Sequence, residues 1–430
     1  MRREPRTPRA GWEQTVLQSG LPFHTEILPD GRKLPYWNES AAYVLTSREV
    51  DYLEDVTEEL HAMCVAAARH VLEKGDVERL GIDPRWARPM LETFENESPS
   101  IYGRFDFAWA GTGDAKLYEY NGDVPAALLE AAVLQWQWLE DVHPDRDQFN
   151  TIHERLVRTW QRLAPRLGGQ VHFAHSVDEP DEDIITAAYL RDTAVEAGLP
   201  TVGLTMENVG WHSGIRRFVD LSDVPIDSCF KMYPWDWAFE SAYAPQLEAG
   251  PRSTQWLEPM WKALLSTKAL LAVLWELYPG HPNLLPSYLD DPRDLTEWVA
   301  KPLWGWEGAS IKVRSAEHHF DQAGPFDDGP FLFQQFHRPP SFDGNHMVIG
   351  SWVIDGRSAG VGIRESNEIV TDRRSRFVPH LIDAPRSTPE QVAHWLRTSH
   401  PHRRHQRLHR VGPGRRHHQA PLLRHGQRVP

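Results

Sequence analysis

Two short segments near residue 110 hold the side chains whose spacing points most clearly to chemistry. Arg104 and Asp106 alternate with aromatic residues in the first, and Glu119 and Asn121 do so in the second. This is the period of half-buried strands. The intervening Gly-Thr-Gly-Asp at 111–114 is typical of a turn. A hairpin centred there pairs Asp106 with Glu119 and Arg104 with Asn121, so all four side chains share one face.

The two carboxylates on this predicted face need a compensating charge. At ~4 Å and an effective dielectric near 20 they repel by ~4 kcal/mol. A divalent cation would offset this, because two carboxylates and an amide oxygen are ligands that Mg²⁺ takes beside substrate phosphates. An ordinary hairpin face with charges splayed into water is the alternative. If a metal is the compensating charge, Asp106→Ala should not sharply lower the stability of the metal-free protein.

Two lysines and a glycine loop form a second candidate site. Predicted strands at 298–303 and 310–314 flank a loop with Gly305 and Gly308, where backbone N–H groups can approach phosphate oxygens and Lys301 adds a charge. A plain hairpin turn is the alternative, and the ending of a Walker A motif is missing. Lys268, in a segment predicted as helix over 255–278, lies at the start of an apolar helical run. An anion held there would offset the unfavourable helix dipole, but a surface lysine is equally consistent.

Two further strands end in polar residues. Strand 331–335 ends in Gln334 and Gln335, whose amides suit a base edge or a strand-end cap. Arg364 ends a glycine-rich strand in a hairpin over 346–364 with a type I′ turn at Asp-Gly 355–356. This arginine suits a transferring phosphoryl group, or else forms a surface ion pair with Glu365.

Composition limits the class of protein. The chain has 430 residues, 40% of them hydrophobic, and a formal charge of −14, which argues against nonspecific nucleic-acid binding. Its two cysteines, Cys64 and Cys229, exclude a disulfide framework, and Cys64 lies in an apolar helical run typical of a structural thiol. No secretory signal or membrane span is visible. The sequence therefore predicts a soluble cytoplasmic protein.

The segments between these motifs predict alternating helices and strands. A long helix is expected from Leu45 to about Glu73, with Ser47 as N-cap and Gly75 as the stop, and others over 126–141 and 148–166. Strands at 171–174 and 201–204 around a helix at 181–197 have β-α-β spacing, which indicates a parallel pair. Residues 1–11 and the basic Arg/His/Pro-rich tail 384–430 are expected to be disordered.

Taken in order, these segments resemble the glutathionylspermidine synthase family, specifically its synthetase domain, over residues 12–383. The matching stretches include SIYGRFDF at 100–107, LYEYNGD at 117–123, STKALL at 266–271, AKPL at 300–303 and GIRE at 362–365. The resemblance implies an α+β ATP-grasp fold with two α+β lobes around ATP. A small α/β substrate unit at 165–210 and an ATP-binding lobe at 255–383 are expected within it.

The resemblance also implies an activity, in which ATP phosphorylates a small-molecule carboxylate and an amine displaces phosphate from the acyl phosphate. It assigns Asp106, Glu119 and Asn121 as metal ligands, Arg104 and Arg364 to the phosphoryl group, and Lys268 and Lys301 to the ATP phosphates. The mobile phosphate loop is assigned to 305–309 with Gly305 and Gly308. Gln334 and Gln335 are assigned to the adenine side, and Glu182 and Asp183 to the acids that bind the substrate amine.

The chain departs from the family pattern at two points. Bifunctional members carry an amidase domain, which is expected to be missing here, and the polar residue that helps hold glutathione is replaced by Ala126 or Ala127. The ligase machinery therefore carries over better than the substrates. Two other functions stay open, an ATP-binding regulatory protein without catalysis and an ATP-dependent phosphotransferase without amide formation. No nucleic-acid or membrane partner is expected.

Overall fold

The computed structural model describes residues 1–28, 30–177, 181–249, 254–372 and 374–385. Helices and strands are interspersed as far as Leu277, and the described residues beyond it form strands. The α-helices are α1 Trp12–Gln18, α2 Ser47–Lys74, α3 Ala87–Glu95, α4 Gln135–Val142, α5 Ile152–Leu163, α6 Asp181–Glu196, α7 Trp235–Glu240, α8 Ala244–Ala249 and α9 Leu270–Leu277. Short 3₁₀ turns occur at Glu78–Leu80, Pro84–Trp86, Ala164–Arg166, Met206–Asn208 and Met260–Leu265, and a π-helical turn at Glu130–Leu134.

The strands range from two to ten residues in length. They are β1 Arg2–Pro5, β2 Thr25–Ile27, β3 Lys33–Pro35, β4 Ala41–Leu45, β5 Tyr102–Ala108, β6 Lys116–Asn121, β7 Arg146–Asp147, β8 Val171–His175, β9 Thr201–Thr205, β10 Gly210–His212, β11 Arg217–Val219, β12 Ser228–Met232, β13 Gln255–Leu257, β14 Ser287–Leu289, β15 Trp298–Pro302, β16 Lys312–Arg314, β17 His319–Asp321, β18 Phe331–Gln335, β19 Ser341–Phe342, β20 Asn345–Ile354, β21 Arg357–Ser366, β22 Arg376–Val378 and β23 His380–Pro385.

A six-stranded antiparallel sheet carries the candidate site. Its strand order is β22-β21-β20-β5-β6, and β19 pairs with β20. The two hairpins predicted from the sequence, β5–β6 and β20–β21, meet where β20 pairs with β5. Asp355 and Gly356 have φ of 53° and 70°, as a type I′ turn requires. Segments more than two hundred residues apart thus form one continuous surface.

The predicted β-α-β unit is confirmed. Strands β8 and β9 pair in parallel, and the sheet continues through β12 to β13. The helix predicted over 255–278 is partly wrong, because 255–257 forms β13, a 3₁₀ turn follows, and the α-helix covers only Leu270–Leu277. An apolar run that is buried throughout has no polar face, so its pattern does not separate strand from helix.

Helix α2 packs against both hairpin strands β20 and β21 and against α9, which places the main core behind the candidate site. Its N-cap is Thr46 rather than the predicted Ser47. The Thr46 side chain accepts from the Glu49 N–H while the Glu49 carboxylate accepts from the Thr46 N–H, a reciprocal capping box. Gly75, with φ of 69°, ends the helix as predicted.

The first residues are ordered, contrary to the prediction for 1–11. Strand β1 pairs with β4 in the sheet β1-β4-β23-β7. Arg3 forms a bidentate ion pair with Glu365, at 2.8 and 2.9 Å, which joins this strand to the end of β21. The basic sequence of this segment does not show these contacts, because β4 and Glu365 both lie far away along the chain. Strand β23 continues to Pro385, and the rest of the predicted tail, 386–430, lies outside the described residues.

Candidate active site

The predicted hairpin register is confirmed at the candidate metal ligands. Asp106 lies opposite Glu119 and Arg104 lies opposite Asn121. The register shifts by one residue immediately beyond Asp106, where β6 contains a bulge at Tyr118. Within the hairpin the Asn121 amide donates to Glu119 Oε1 at 3.1 Å. Two carboxylates and an amide oxygen therefore do share one face of the sheet.

Arginines already neutralise Asp106, which the sequence did not predict. The Asp106 carboxylate accepts from Arg104 Nε at 2.7 Å and Nη2 at 3.0 Å, and from Arg364 Nη2 at 2.6 Å. Asp106 is 2% exposed and Arg104 6%. The expectation that a metal alone offsets the charge of the hairpin is thus wrong for Asp106, since two guanidinium groups do so.

A glycine lets the guanidinium of Arg104 lie against the sheet. Gly350 on β20 pairs directly with Asp106, and a Cβ built on Gly350 would lie 2.9 Å from Arg104 Cδ. The neighbouring residue across on β21 is Gly362. A Cβ built on Gly362 would lie 2.8 Å from the Phe377 ring. The two facing glycines therefore leave room for Arg104 on one strand and for Phe377 on the other.

Glu119 is held by a different pair of cations. Lys268 Nζ lies 3.5 Å from Glu119 Oε2 and donates to the Gly305 carbonyl at 2.7 Å. Burial opposes ionisation of Glu119, but Lys268, Lys301 and the Asn121 amide outweigh it and lower its pKa to about 2. The predicted lysine before the apolar helix is therefore at the site, two residues before the start of α9.

Lys301 joins the five-stranded sheet β14-β18-β15-β16-β17 to the hairpin. Its Nζ donates to the Tyr118 carbonyl at 2.9 Å and to Gln334 Oε1 at 2.8 Å. Burial lowers the pKa of Lys301 to about 8, although Glu119 favours the charged form. Gln335 is exposed, and the alternation of the strand puts its side chain on the opposite face. The structure thus brings Gln334 to the site and leaves the Gln335 side chain outside it.

The glycine loop after β15 lies over this region. Gly305 accepts from Lys268, and Gly308 has φ of 70° with the Thr371 carbonyl 2.8 Å from where a Cβ would be. Glycine alone fits that position. Trp306 contacts Trp237 of α7, with ring centroids 5.7 Å apart. The loop therefore touches the segment between β12 and β13 of the parallel sheet as well as the lysine.

Two carboxyl groups beside the arginines complete the site. Ala127, with a left-handed φ of 66°, donates its N–H to Glu182 Oε1 at 3.1 Å, and the preceding carbonyl, of Ala126, accepts from Arg104. Glu130, at the start of the π-helical turn, is 2% exposed and accepts from the Tyr36 hydroxyl at 2.6 Å. Asp183, the other predicted substrate residue, is half-buried.

Sequence reasoning missed Glu130 and Tyr36. The available signal was that Glu130 is the single acid in the apolar run from Pro125 to Leu134. The prediction of one helix over 126–141 treated Glu130 as an ordinary helical residue. The structure instead begins the helical segment after Ala127 and inserts a π turn, a feature frequent at functional sites. Burial and the nearby Glu182 raise the pKa of Glu130 to about 7.

We expect Glu130→Gln to flatten one contribution to the change in stability from pH 5 to pH 8, a loss that comes from Glu130 itself. Folded Glu130 keeps its proton up to about pH 7, whereas the unfolded group loses it near 4.5. At Glu130 the folded state therefore binds more protons in this range, and the contribution of this group to stability falls as pH rises. Glutamine keeps an acceptor for Tyr36 without the proton, which should reduce the decline by on the order of 2 kcal/mol. Urea unfolding at both pH values measures this. An equal flattening in Glu95→Gln, an exposed glutamate on α3, would contradict it.

The cysteines take no part in the site. Cys64 and Cys229 are both buried, and burial raises the pKa of both thiols, that of Cys229 to about 12. Thiols with such a pKa are protonated and unreactive at neutral pH. This agrees with the structural thiol predicted for Cys64.

The donor set fits Mg²⁺ bound jointly with a nucleotide better than a metal held by protein alone. Asp106, Glu119 and Asn121 offer oxygen ligands only, the type that Mg²⁺ prefers. Within the described ranges, no group of three or more His, Cys, Asp and Glu side chains has the arrangement of a metal site. Mg²⁺ commonly takes one or two carboxylates and completes its shell with phosphate oxygens and water.

Comparison with known proteins decides the family. The sequence model described as glutathionylspermidine synthase preATP-grasp matches residues 3–383. The chain belongs to the glutathionylspermidine synthase family. A Haemophilus influenzae protein named "Putative acid--amine ligase" is 40% identical over 382 residues, covering 86% of this chain and 96% of that protein. This membership confirms the predicted family and the prediction of an enzyme, a carbon–nitrogen ligase.

More distant members of the family are longer. Trypanothione synthetase of Crithidia fasciculata is 28% identical over 352 residues, covering 74% of this chain and 53% of that protein. The bifunctional glutathionylspermidine synthetase/amidase of Escherichia coli is 25% identical over 374 residues, covering 79% and 59%. The chain thus spans between half and two thirds of the length of these two relatives.

A solved structure confirms the fold. The apo structure of GSS30, a glutathione synthetase-like effector from Globodera pallida, matches with a TM-score of 0.54 at 10% identity, covering 86% of this chain and 96% of that one. The predicted α+β fold of the ATP-grasp type is therefore correct. Among the described helices of this family member, none combines the length and apolar character needed to cross a membrane.

Proposed function

We propose that this family member is an ATP- and Mg²⁺-dependent ligase that joins a carboxylate to an amine through an acyl phosphate. The observation that carries the proposal is the charge of the site, where four cations surround two carboxylates. The cations are Arg104, Arg364, Lys268 and Lys301, and the carboxylates are Asp106 and Glu119. These six groups carry a net positive charge and are largely buried, which suits a polyanion such as Mg·ATP because charges interact strongly in a low dielectric.

Asp106, Glu119 and Asn121 would hold Mg²⁺, whose chemistry is to neutralise the phosphates and orient the transferring group. Lys268 and Lys301 would bind the nucleotide phosphates. The loop with Gly305 and Gly308 would lie over them and exclude water, which protects an acyl phosphate from hydrolysis.

Arg104 and Arg364 would touch the transferring phosphoryl group. In the first step a carboxylate oxygen of the acid bonds to the γ-phosphorus, and the bond to the bridging oxygen breaks with release of ADP. In the second step the amine nitrogen bonds to the acyl carbon, phosphate leaves with its electron pair, and the amine loses a proton. Guanidinium groups fixed beside Asp106 are preorganised for the charge that builds up in the first step.

Glu182, Asp183 and Glu130 would bind the ammonium group of a substrate. Glu182 and Glu130 are close enough to Arg104 to influence it electrostatically. A pocket with arginines on one side and carboxyls on the other suits substrates that bring a carboxylate and an amine together. We further propose that 12–383 is one ligase unit, with the parallel unit at 165–210 for substrate and 255–383 for ATP.

Hydroxylamine trapping tests the proposal. Purified protein is given ATP, Mg²⁺ and a panel of acids that includes glutathione and glycine-ended peptides, each with hydroxylamine or with polyamines. We expect acid-dependent phosphate release and a hydroxamate or amide detected by mass, both lost in Glu119→Gln. A stable phosphate ester in place of hydroxamate would indicate a phosphotransferase. ATP binding without turnover across the panel would indicate a regulatory protein.

A further inference from the structure

The Gln334 amide is a buried polar group with an unexpected set of contacts. It is 2% exposed on β18. Its Oε1 accepts from Lys301 Nζ at 2.8 Å, and its Nε2 donates to the Leu117 carbonyl at 3.1 Å. Both ends of the amide are thus engaged by protein. A side chain that reads a base edge needs its donor and acceptor directed at the ligand.

The bulge in β6 explains why the Leu117 and Tyr118 carbonyls are available to accept hydrogen bonds. Strand β6 is at the edge of the six-stranded sheet, so its outer carbonyls have no strand partner there. The register shift next to Asp106 leaves Tyr118 without a residue opposite it on β5. The carbonyls of Leu117 and Tyr118 then accept from Gln334 and Lys301. The five-stranded sheet is therefore docked on the same strand that holds Glu119.

These contacts restrict the Lys301 ammonium. An ammonium has three N–H donors, and among the described residues two acceptors, Gln334 Oε1 and the Tyr118 carbonyl, lie within bonding distance. With two donors fixed, the direction of the third is fixed as well. A lysine on its flexible four-carbon stem has no such restriction by itself. Lys301 is 7% exposed, so reorientation into water is not available.

We propose that Gln334 is a positioning residue for Lys301 and not a reader of the nucleotide base. Together with the Tyr118 carbonyl, it holds the ammonium so that the remaining N–H faces the phosphates of a bound nucleotide. This inference rests on the proposed function, because it needs a nucleotide at the site. It assigns Gln334 a different role from the adenine-side role that the family resemblance implies.

Nucleotide binding by a Gln334→Met variant tests the inference. Methionine keeps the size of the side chain and removes both hydrogen bonds. Calorimetric titration with Mg·ATP and with Mg·GTP gives two affinities for each protein. We expect both to weaken by about tenfold or more, as for a lost hydrogen bond to a charged group, with the ratio of ATP to GTP affinity unchanged. A base reader would instead lose its ATP preference while Mg·GTP binding stayed the same.

A double-mutant cycle separates positioning from general destabilisation. If Gln334 acts through Lys301, then Lys301→Met and the double variant should bind Mg·ATP equally weakly. Additive losses would contradict the inference. Gln148→Met is the matched control, since Gln148 is buried and hydrogen-bonded at both ends on the β7 side of the fold. It should lower the melting temperature without changing nucleotide affinity.

The wild type distinguishes the two proposals. Wild-type protein that binds neither Mg·ATP nor Mg·GTP would overturn the proposed function and this inference together. Wild-type binding that Gln334→Met leaves intact would overturn the inference alone. Both outcomes require that the Gln334→Met protein is folded, as shown by circular dichroism and cooperative melting. If the methionine variant does not fold, Gln334→Glu, which keeps the acceptor for Lys301, is the second variant.

Discussion

Asp106→Ala is expected to destabilise the nucleotide-free protein as well as abolish ligase turnover. The substitution removes the partner of Arg104, a guanidinium that is 6% exposed, and one partner of Arg364. Breaking a buried ion pair leaves an uncompensated charge and typically costs about 3–5 kcal/mol. Stability should therefore fall steeply in metal-free buffer, the reverse of what carboxylate repulsion alone predicts. Denaturant unfolding without Mg²⁺ measures it.

Glu119→Ala supplies the comparison. The Glu119 side chain is 27% exposed, against 3% for Asp106, and lies 3.5 Å from Lys268, so its removal should cost less than the removal of Asp106. Turnover should be lost in both variants, because each removes a proposed metal ligand. Equal stability losses in the two variants would show that the arginine contacts to Asp106 carry little energy. Asp106→Asn keeps an acceptor oxygen, so its loss of stability should lie between those of Asp106→Ala and Glu119→Ala.

Arg364→Ala is expected to lower turnover by about a thousandfold while leaving the fold intact. Arginines that stabilise a transferring phosphoryl group contribute about 10³–10⁵ in rate. Arg364 is 22% exposed in its side chain, and Asp106 keeps Arg104 when it is removed. Stability should therefore change little. The measurement is product formation with the acid and amine found by the hydroxylamine screen, together with Mg·ATP affinity.

In Arg364→Ala the loss of Mg·ATP affinity should be much smaller than the loss of turnover. Mg·ATP binding should weaken only a few-fold, since the contact is strongest in the transition state. Arg357→Ala is the control, because Arg357 begins the same strand, is 51% exposed and pairs with Glu58 away from the site. A turnover loss in Arg364→Ala matched by an equal loss of Mg·ATP affinity would contradict a transition-state role.

Local pattern predicted the hairpin and its shared face well. Strand alternation and a Gly-rich turn are local properties, and the pairing of Asp106 with Glu119 followed from them alone. The bulge at Tyr118 was not predicted, because the same turn residues fit paired strands with or without an extra residue. Lys268 and Lys301 were candidates from the sequence itself, the family resemblance assigned them to the ATP phosphates, and the structure brings both to Glu119.

The spacing of residues along the sequence could not predict ion pairs between distant segments. Arg364 and Asp106 are 258 residues apart, so nothing in either segment shows that they pair. The same holds for Arg3 and Glu365, 362 residues apart, which order a segment predicted to be disordered. Glu130 was missed for another reason. A single acid in an apolar run gives no sign of a functional role. The contact of Glu130 with the Tyr36 hydroxyl and its closeness to Glu182 are visible only in the structure.

The pairing of β5 with β20 has a consequence for how the protein is made. The first hairpin leaves the ribosome long before the second, since synthesis at about 5–20 residues per second takes roughly ten to fifty seconds to span the 258 residues from Asp106 to Arg364. During that interval one edge of β5 has no neighbour. Nascent chains of this length should therefore depend on a holding chaperone to keep that edge covered.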